Sequence, residues 1–273
     1  MGGAERSARK KRQAAVAGRP VTPPPSPAPA PAPAPTRPAG NRKKIVIGAV
    51  VVVLLAAAVV GGIIYTNAKK NATEGQTIAV SRVDAGYPAV RQGAIVTVGQ
   101  DSADTIIDVF EDFLCPACRS FEETYGKQIH EQLAEGTVRV RYHMLPMLDD
   151  RSDPAGYSMD SANAALCAAD AGQFPDFHQS LFDAQPAEGA RGWDNQQLVQ
   201  LGTNVGVTSP EFRSCVESGE YDDAVAAHFA EVREMSFLQQ EVDGQRGFGT
   251  PTIAVGDTVV NTGDENWLKK LVD

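Results

Sequence analysis

Residues 110–122 read FEDFLCPACRSFE and place Cys115 and Cys118 three positions apart, with Pro116 and Ala117 between them. The segment TIIDVFEDF, residues 105–113, is rich in β-branched and aromatic residues and predicts a strand that runs into the cysteines. After them, apolar residues recur at four-residue steps up to Gly136, which predicts a helix over residues 119–136. TVRVRYHMLPML, from residue 137, predicts the next strand, so the order is that of a βαβ unit.

A Cys-x-x-Cys pair fits half of a metal site, a structural bridge or a redox dithiol. A metal site usually needs a second close-set pair, but Cys167 and Cys215 are forty-eight positions apart. The histidines also show no ligand spacing with one another, so we expect no metal; they are His130, His143, His178 and His228. A bridge across so short a loop would remove little chain entropy. These observations favour a redox dithiol.

The position of the pair at the start of a helix supports the redox interpretation. Free N–H groups and the helix dipole stabilise a negative charge there, which lowers the pKa of a thiol at Cys115. Pro116 falls at the first helical position, where its missing N–H costs little. We therefore predict that Cys115 is the attacking or attacked sulfur and that Cys118 resolves the mixed disulfide.

The amino-terminal part of the chain does not have a globular composition. Residues 1–44 hold ten basic residues and one acid, and they include the Pro/Ala tract PPPSPAPAPAPAP, so we expect a disordered tail. The uncharged run IVIGAVVVVLLAAAVVGGII follows, and a transmembrane helix is predicted over residues 45–65. The basic tail predicts a cytoplasmic amino terminus. A cleavable signal peptide is the alternative, but it would need shorter basic and apolar regions.

The part of the chain after the tail has a different charge. It holds fifteen basic and thirty-three acidic residues, a net charge of −18, which argues against nucleic acid as a partner. Beyond a linker at 66–77, residues 78–273 are long enough for one extracytoplasmic domain. All four cysteines lie there, in a compartment where disulfides persist.

The remaining patterns of this domain predict an α/β fold. IAVSRV, residues 78–83, and AIVTVG, residues 94–99, predict strands, and residues 158–240 are helical in pattern. TPTIAVGDTVVNTG then predicts a hairpin with its turn at Gly256 and Asp257, and ENWLKKLVD predicts a final helix.

Two segments, FEDFLCPACRSFE and GFGTPTIAVGD (residues 247–257), resemble the DsbA-like branch of the thioredoxin superfamily. The resemblance implies a thioredoxin fold in which residues 158–240 form a helical insertion. It also implies a cis peptide bond between Thr250 and Pro251, facing the cysteines, which exposes the Thr250 backbone to an extended substrate. Cys167 and Cys215 fall in the insertion and are interpreted as a structural disulfide, with a second redox pair as the alternative.

The sequence departs from the family pattern at two positions. Strongly oxidising relatives often carry His where Ala117 stands, so we expect a less oxidising dithiol. Family members commonly bury an acid six residues before the first cysteine, and that position is Val109. Asp108 and Glu111 are nearby, and the alternatives for each are a proton carrier or, as the pattern favours, an ordinary strand or surface carboxylate.

Four further side chains lie close to the dithiol in the predicted fold. Three of them fit two interpretations equally well, an apolar rim that binds the substrate or ordinary core packing; they are Phe110, Phe113 and Leu114. His143, just after a strand, is expected to be a structural histidine.

Together these features predict a membrane-anchored, extracytoplasmic protein thiol–disulfide oxidoreductase that needs no cofactor. Its expected substrates are reduced exported proteins, and by family analogy a quinone-linked membrane protein would reoxidise it. The alternatives are a reductase or isomerase of the same fold and a chaperone-like binding module.

Overall fold

A computed structural model of the protein describes residues 41–83, 85–242 and 245–272. Nearly all of the predicted tail, residues 1–44, lies outside the described residues. The strands are β1 Ala89–Gln92, β2 Ile95–Val98, β3 Thr105–Glu111, β4 Val138–Met144, β5 Gln240–Val242, β6 Gln245–Gly247, β7 Thr252–Val255 and β8 Thr258–Val259. The helices are α1 Asn41–Lys70, α2 Pro116–Phe121, α3 Lys127–Glu135, α4 Tyr157–Asp170, α5 Phe174–Asp183, α6 Asn195–Val205, α7 Pro210–Ser218, α8 Asp222–Glu234 and α9 Trp267–Val272.

One sheet of the domain has the strand order β1-β2-β4-β3-β7-β8. The central strands β3 and β4 are parallel, in register from Thr105 opposite Val138 to Glu111 opposite Met144. Because α2 and α3 connect them, this is the predicted βαβ unit, and α2 starts where β3 ends. β7 pairs antiparallel with β3, which places the segment before Thr252 beside the carboxyl end of β3.

The helix after the cysteines is not continuous, although one uninterrupted helix was predicted. Residues Glu122–Gly126 form a π-helical turn between α2 and α3. Such turns insert an extra residue into the helical repeat and often lie at functional sites. Gly136 ends α3 as predicted, with a φ of 74° that a glycine adopts without strain.

The strand predicted at residues 78–83 is wrong. This described segment forms no strand and instead lies along α5, where the amide of Ser81 donates to Ser180 Oγ at 2.9 Å. The amide of Val83 donates to Asp176 Oδ1 at 2.9 Å. Side chains of a helix thus satisfy the backbone groups that a strand neighbour would otherwise pair. The edge strand β1, which the sequence did not reveal, takes the place beside β2.

The two faces of the sheet are covered by different helices. Ile107 and Val109 join the main core with residues of α4 to α7, whereas Phe110 packs with Val232 of α8. Successive strand residues point to opposite faces, so Glu111 shares the face of Val109. Helices α4 to α8 occupy most of the predicted insertion, which confirms the thioredoxin-like fold with a helical block.

Helix α1 carries the long apolar run. Its 21-residue segment Val50–Lys70 contains an 18-residue window with a mean hydropathy of 2.3, and by length and composition it can cross a membrane. It extends to Lys70, beyond the predicted end of the span, so the first part of the expected linker is helical. Thr73 is buried, and its hydroxyl donates to the carbonyl of Arg191 at 3.0 Å.

Candidate active site

The two cysteines lie at the junction of β3 and α2. Cys115 is the N-cap residue of α2, with φ −74° and ψ 116°, and Pro116 follows as the first helical residue. The structure shows both as free thiols, with Cys115 6% exposed and Cys118 0% exposed. Pro116 and Ala117 are exposed on the surface above them. Only the first sulfur is therefore near solvent.

The two thiols differ in pKa because their surroundings differ. A hydrogen bond from the Cys118 thiol lowers the pKa of Cys115 to about 6, against the opposing effect of burial. The amides of Ala117 and Cys118 donate to the same sulfur and act in the same direction. Burial, followed by the hydrogen bond to Cys115, raises the pKa of Cys118 well above its ordinary value. At neutral pH the reduced pair therefore holds a thiolate at Cys115 and a thiol at Cys118.

The loop before β7 lies against the first cysteine. Sγ of Cys115 is 3.4 Å from the carbonyl oxygen of Thr250, and the Thr250–Pro251 peptide bond is cis. A second cis bond, Asp153–Pro154, was not foreseen. The structure thus brings the predicted site residues of both segments together.

A buried acidic cluster lies next to the dithiol. Glu111 is 0% exposed and its Oε1 is 2.5 Å from Nε2 of His178, a buried residue of α5. Glu122, the first residue of the π-helical turn, is 3% exposed. The expectation that Glu111 is an ordinary strand or surface carboxylate is wrong, because the alternation of β3 turns it toward the cysteine helix. That alternation, read from Val109, was the signal available in the sequence.

These three side chains cannot all be charged. Burial raises the pKa of Glu111 well above its usual value, and burial together with the charge of Glu111 raises the pKa of Glu122 to about 8. Burial lowers the pKa of His178 to about 4, so the imidazole is neutral. Their ligand atoms lie within 4.8 Å of one another, which makes them the group among the described residues that could hold a cation.

Asp112 fixes the turn that carries the cysteines. Its Oδ1 accepts from the amide of Leu114 at 2.7 Å and from Ser158 Oγ at 2.8 Å. Its Oδ2 accepts from the amide of Leu148 at 2.7 Å. Because these donors belong to three segments, the carboxylate joins the turn after β3 to the loop after β4 and to α4. Sequence reasoning missed this positioning role.

Another polar contact on the cysteine turn was not predictable. Nε2 of Gln185 donates to the carbonyl oxygen of Cys115 at 3.0 Å. Gln185 follows α5, so its approach to the cysteine depends entirely on tertiary packing.

The apolar residues before Cys115 and the histidine after β4 are structural. The proposed apolar rim is core, because Phe110, Phe113 and Leu114 are all at most 2% exposed. His143 Nε2 is 2.8 Å from Asp108 Oδ1, and its Nδ1 is 2.8 Å from His228 Nε2. These three hydrogen-bonded side chains lie on the sheet face that α8 covers, away from the face of Glu111.

The other two cysteines are joined. Cys167 of α4 and Cys215 of α7 form a disulfide with an S–S distance of 1.97 Å, which links two helices of the insertion. Neither opens a helix, so neither has the environment of Cys115.

Comparison with known proteins places the domain in a family. A thioredoxin family model matches residues 91–273. Serine/threonine-protein kinase PknE of Mycobacterium tuberculosis is 34% identical over 183 residues, which is 65% of this chain and 31% of the kinase. The chain thus spans about a third of the length of that relative.

Two further relatives match over most of their own length. Disulfide bond formation protein D of Bacillus subtilis is 27% identical over 206 residues, covering 74% of this chain and 84% of that protein. The crystal structure of oxidised DsbA from Mycobacterium tuberculosis aligns with a TM-score of 0.52 and 28% identity, over 68% of this chain and 93% of the other. The matched region includes the dithiol, the insertion and the Thr250 loop, so the chain belongs to the thioredoxin family, in its DsbA-like branch.

Proposed function

We propose that the protein is a thiol–disulfide oxidoreductase that forms disulfides in exported proteins, with Cys115 and Cys118 as its catalytic pair. The observation that carries this proposal is the placement of Cys115 Sγ at the start of α2 and 3.4 Å from the Thr250 carbonyl oxygen. A substrate sulfur that reaches Cys115 meets the backbone of the Thr250 loop, and an extended substrate segment can pair with it.

The reaction follows from the asymmetry of the two sulfurs. The oxidised enzyme holds a Cys115–Cys118 disulfide. A substrate thiolate attacks Sγ of Cys115, the bond between the cysteines breaks, and its electron pair stays on Cys118, which takes up a proton. A second substrate thiolate then attacks the substrate sulfur of the mixed disulfide, and Cys115 leaves as a thiolate. The substrate loses two electrons, and the dithiol gains them.

The low pKa of Cys115 favours the second step, since a more acidic thiol is a better leaving group. Reoxidation requires a partner that accepts the two electrons, and we propose a quinone-linked membrane protein. Pro116, Ala117, Thr250 and Pro251 support the site, and the Cys167–Cys215 disulfide stabilises the insertion.

The location of the domain is part of the proposal. We propose that residues 45–65 anchor the chain in the cell membrane, with the basic residues 1–44 in the cytoplasm and residues 78–273 outside, after the linker at 66–77. The support is the apolar helix and its basic flank. The anchor would hold the enzyme, its emerging substrates and its reoxidising partner at one surface.

Oxidative refolding of a reduced, disulfide-containing substrate protein tests the function. The wild-type domain should accelerate recovery of the substrate, and Cys115→Ser should abolish the effect. Cys118→Ser should instead accumulate a mixed disulfide with the substrate. Unchanged acceleration by Cys115→Ser would reject catalysis by this pair, and only a binding module of the same fold would then remain.

The equilibrium of the pair with glutathione decides the direction of the reaction. Known thiol oxidoreductases span potentials from about −270 to −120 mV. Because Ala117 cannot stabilise the thiolate as a histidine would, we expect a potential inside this range and below its oxidising limit. A value near the reducing limit would favour the reductase.

A further inference from the structure

We propose that a cleft between α3 and α5 binds a linear polyammonium compound, with the buried carboxyl group of Glu122 as its anchor. This α3–α5 cleft is lined by residues 81–83, the π-helical turn, α3 and α5. Neither cysteine of the dithiol lines it, nor does the Thr250 loop. The site therefore goes beyond the proposed disulfide exchange and does not depend on it.

The α3–α5 cleft is large enough for an organic ligand. Its volume is about 700 Å³, which lies within the range of roughly 300–1,000 Å³ that is typical of small-molecule sites. The cleft exists because the segment before β1 runs along α5 instead of joining the sheet. Three residues of that segment form part of its wall; they are Ser81, Arg82 and Val83.

Glu122 is an unpaired polar group in the lining of the cleft. The residue is only 3% exposed, and both of its carboxyl oxygens are buried. Neither oxygen accepts a hydrogen bond from a donor among the described residues. A buried acceptor without a donor costs free energy, and a ligand that supplies the donor removes that cost. An ammonium group carries three N–H donors, which is enough for both oxygens.

Two neighbours of Glu122 fit the same interpretation. Gly126 leaves room for the carboxyl group, because a Cβ there would lie 2.9 Å from Glu122 Oε2. His130 also lines the cleft, and its Nε2 is buried without a hydrogen-bond partner. Its Nδ1 lies 2.5 Å from the hydroxyl oxygen of Tyr87. When Nδ1 donates to Tyr87, Nε2 is a second acceptor for an N–H group of the ligand.

The exposed part of the cleft is acidic. Three further carboxylate side chains line it; they are Glu123, Glu131 and Asp183. The two basic side chains of the described lining already have acidic partners. Arg82 Nη1 donates to Asp176 Oδ2 at 2.6 Å, and Lys127 Nζ lies 3.6 Å from Glu131 Oε1. The part of the chain after the tail has a net charge of −18, so its field also attracts a polycation.

Other classes of ligand fit the cleft less well. Its four acidic side chains repel an anion. A metal ion would need only the ligand atoms of the buried cluster, and it would leave most of the volume and the exposed carboxylates unused. A linear polyammonium compound places one charge at Glu122 and the others at the exposed carboxylates.

Binding also changes the protonation of Glu122. Burial together with the charge of Glu111 holds the pKa of Glu122 at about 8 in the empty cleft, and the other groups that face it include His178 and Asp183 of α5. A bound ammonium group stabilises the ionised carboxylate. Binding at neutral pH therefore releases the proton that Glu122 holds in the empty cleft.

Isothermal titration calorimetry of the full-length protein in a neutral detergent, with spermidine as the probe, tests the site. The salt is about 150 mM sodium chloride, which screens exposed charges. We expect a single site, and Glu122→Gln should bind at least about tenfold more weakly, because an amide cannot replace the charged hydrogen bonds. Titrations in buffers of different ionisation enthalpy should show proton release in the wild type, and its absence would exclude Glu122 as the anchor.

Glu135→Gln is the matched control, because Glu135 is an exposed residue of α3 that does not line the cleft. It should bind spermidine as the wild type does. Equal affinities of Glu122→Gln and Glu135→Gln would show that spermidine coats the acidic surface, and would overturn the site. Butylamine carries one ammonium group and should bind the wild type at least about tenfold more weakly than spermidine. Equal binding of the two amines would overturn the polyammonium assignment.

Hydrogen–deuterium exchange of the wild type keeps the test independent of mutant folding. Spermidine should slow exchange in residues 122–134 and 176–183 and leave residues 247–257 unchanged. Unchanged exchange in residues 122–134 would overturn the site. Stoichiometric zinc in the purified protein, lost in Glu122→Gln, would also overturn it, because a metal ion would then occupy the carboxyl group.

Discussion

The carbonyl oxygen of Thr250 lies 3.4 Å from Sγ of Cys115, although 135 positions separate the two residues. The contact exists because β7 pairs with β3, which brings the start of one strand beside the end of the other. It places a backbone acceptor at the sulfur that a substrate must reach.

Alkylation of the reduced domain should distinguish the two thiols. Cys115 should react with iodoacetamide with a midpoint near pH 6, since its thiolate is stabilised, and Cys118 should stay unmodified in the folded protein. Peptide mass mapping over a pH series measures both values, and a midpoint near that of an ordinary thiol would contradict the assignment.

Ala117→His should make the dithiol more oxidising. Ala117 is exposed beside the start of α2, so a histidine there can approach Cys115 without displacing the core. A protonated imidazole stabilises the Cys115 thiolate and hence the reduced form. An increase of about 30 mV corresponds to about 1.4 kcal/mol and is measurable against glutathione. Ala117→Ser is the control for a polar side chain without charge, and an unchanged potential in Ala117→His would refute the expectation.

The buried Glu122 should make stability fall as pH rises. Its pKa is about 8 in the folded protein and has an ordinary value of 4.5, so the folded state holds a proton that the unfolded state releases. Its contribution is fully present below pH 4.5 and is lost as pH approaches 8. Denaturant unfolding from pH 4.5 to 8 should show wild type losing stability relative to Glu122→Gln. A constant difference between the two would contradict a raised pKa.

Asp112→Asn should loosen the cysteine turn. One carboxylate oxygen accepts from the amide of Leu114 and the other from that of Leu148, and an asparagine must turn its NH₂ toward one of these donors. Hydrogen bonds to charged groups contribute about 1.5–3 kcal/mol, so we expect a loss of that order in the free energy of unfolding. Equilibrium denaturation measures it, with the exposed Asp101→Asn as control. A free energy of unfolding equal to wild type in Asp112→Asn would show that Asp112 does not stabilise the turn.

Removal of the disulfide between α4 and α7 should destabilise the domain without removing its redox chemistry. The loop between Cys167 and Cys215 has a sequence separation of 48, for which the chain-entropy model gives roughly 4 kcal/mol. The double variant Cys167→Ser, Cys215→Ser should therefore unfold at lower denaturant concentration. Its Cys115 should keep the wild-type alkylation profile at low temperature, and a lost profile in folded protein would show that the pair is part of the site.

Local sequence patterns determined much of the fold and the identity of the dithiol. The β-branched and aromatic residues of 105–111 predict β3 and the four-residue spacing after Cys118 predicts the helical segment that follows, and their junction places Cys115 at a helix start. Residues 78–83 show the limit of that approach. An alternating pattern predicts an extended chain, but only tertiary packing decides whether a strand or the side chains of α5 satisfy its backbone groups.

The environment of the cysteines was decided by tertiary structure. Glu111 and Glu122 are eleven positions apart in the chain, and His178 belongs to the insertion, so their buried cluster forms only when α5 packs on the sheet. The pKa of each group depends on burial and on neighbours distant in sequence, which no local pattern records. The sequence by itself therefore determined which sulfurs can react, because helix-start chemistry is local. Only the folded domain decided which carbonyl faces Cys115 and which carboxyl groups share the buried cluster with His178, because those contacts join distant segments.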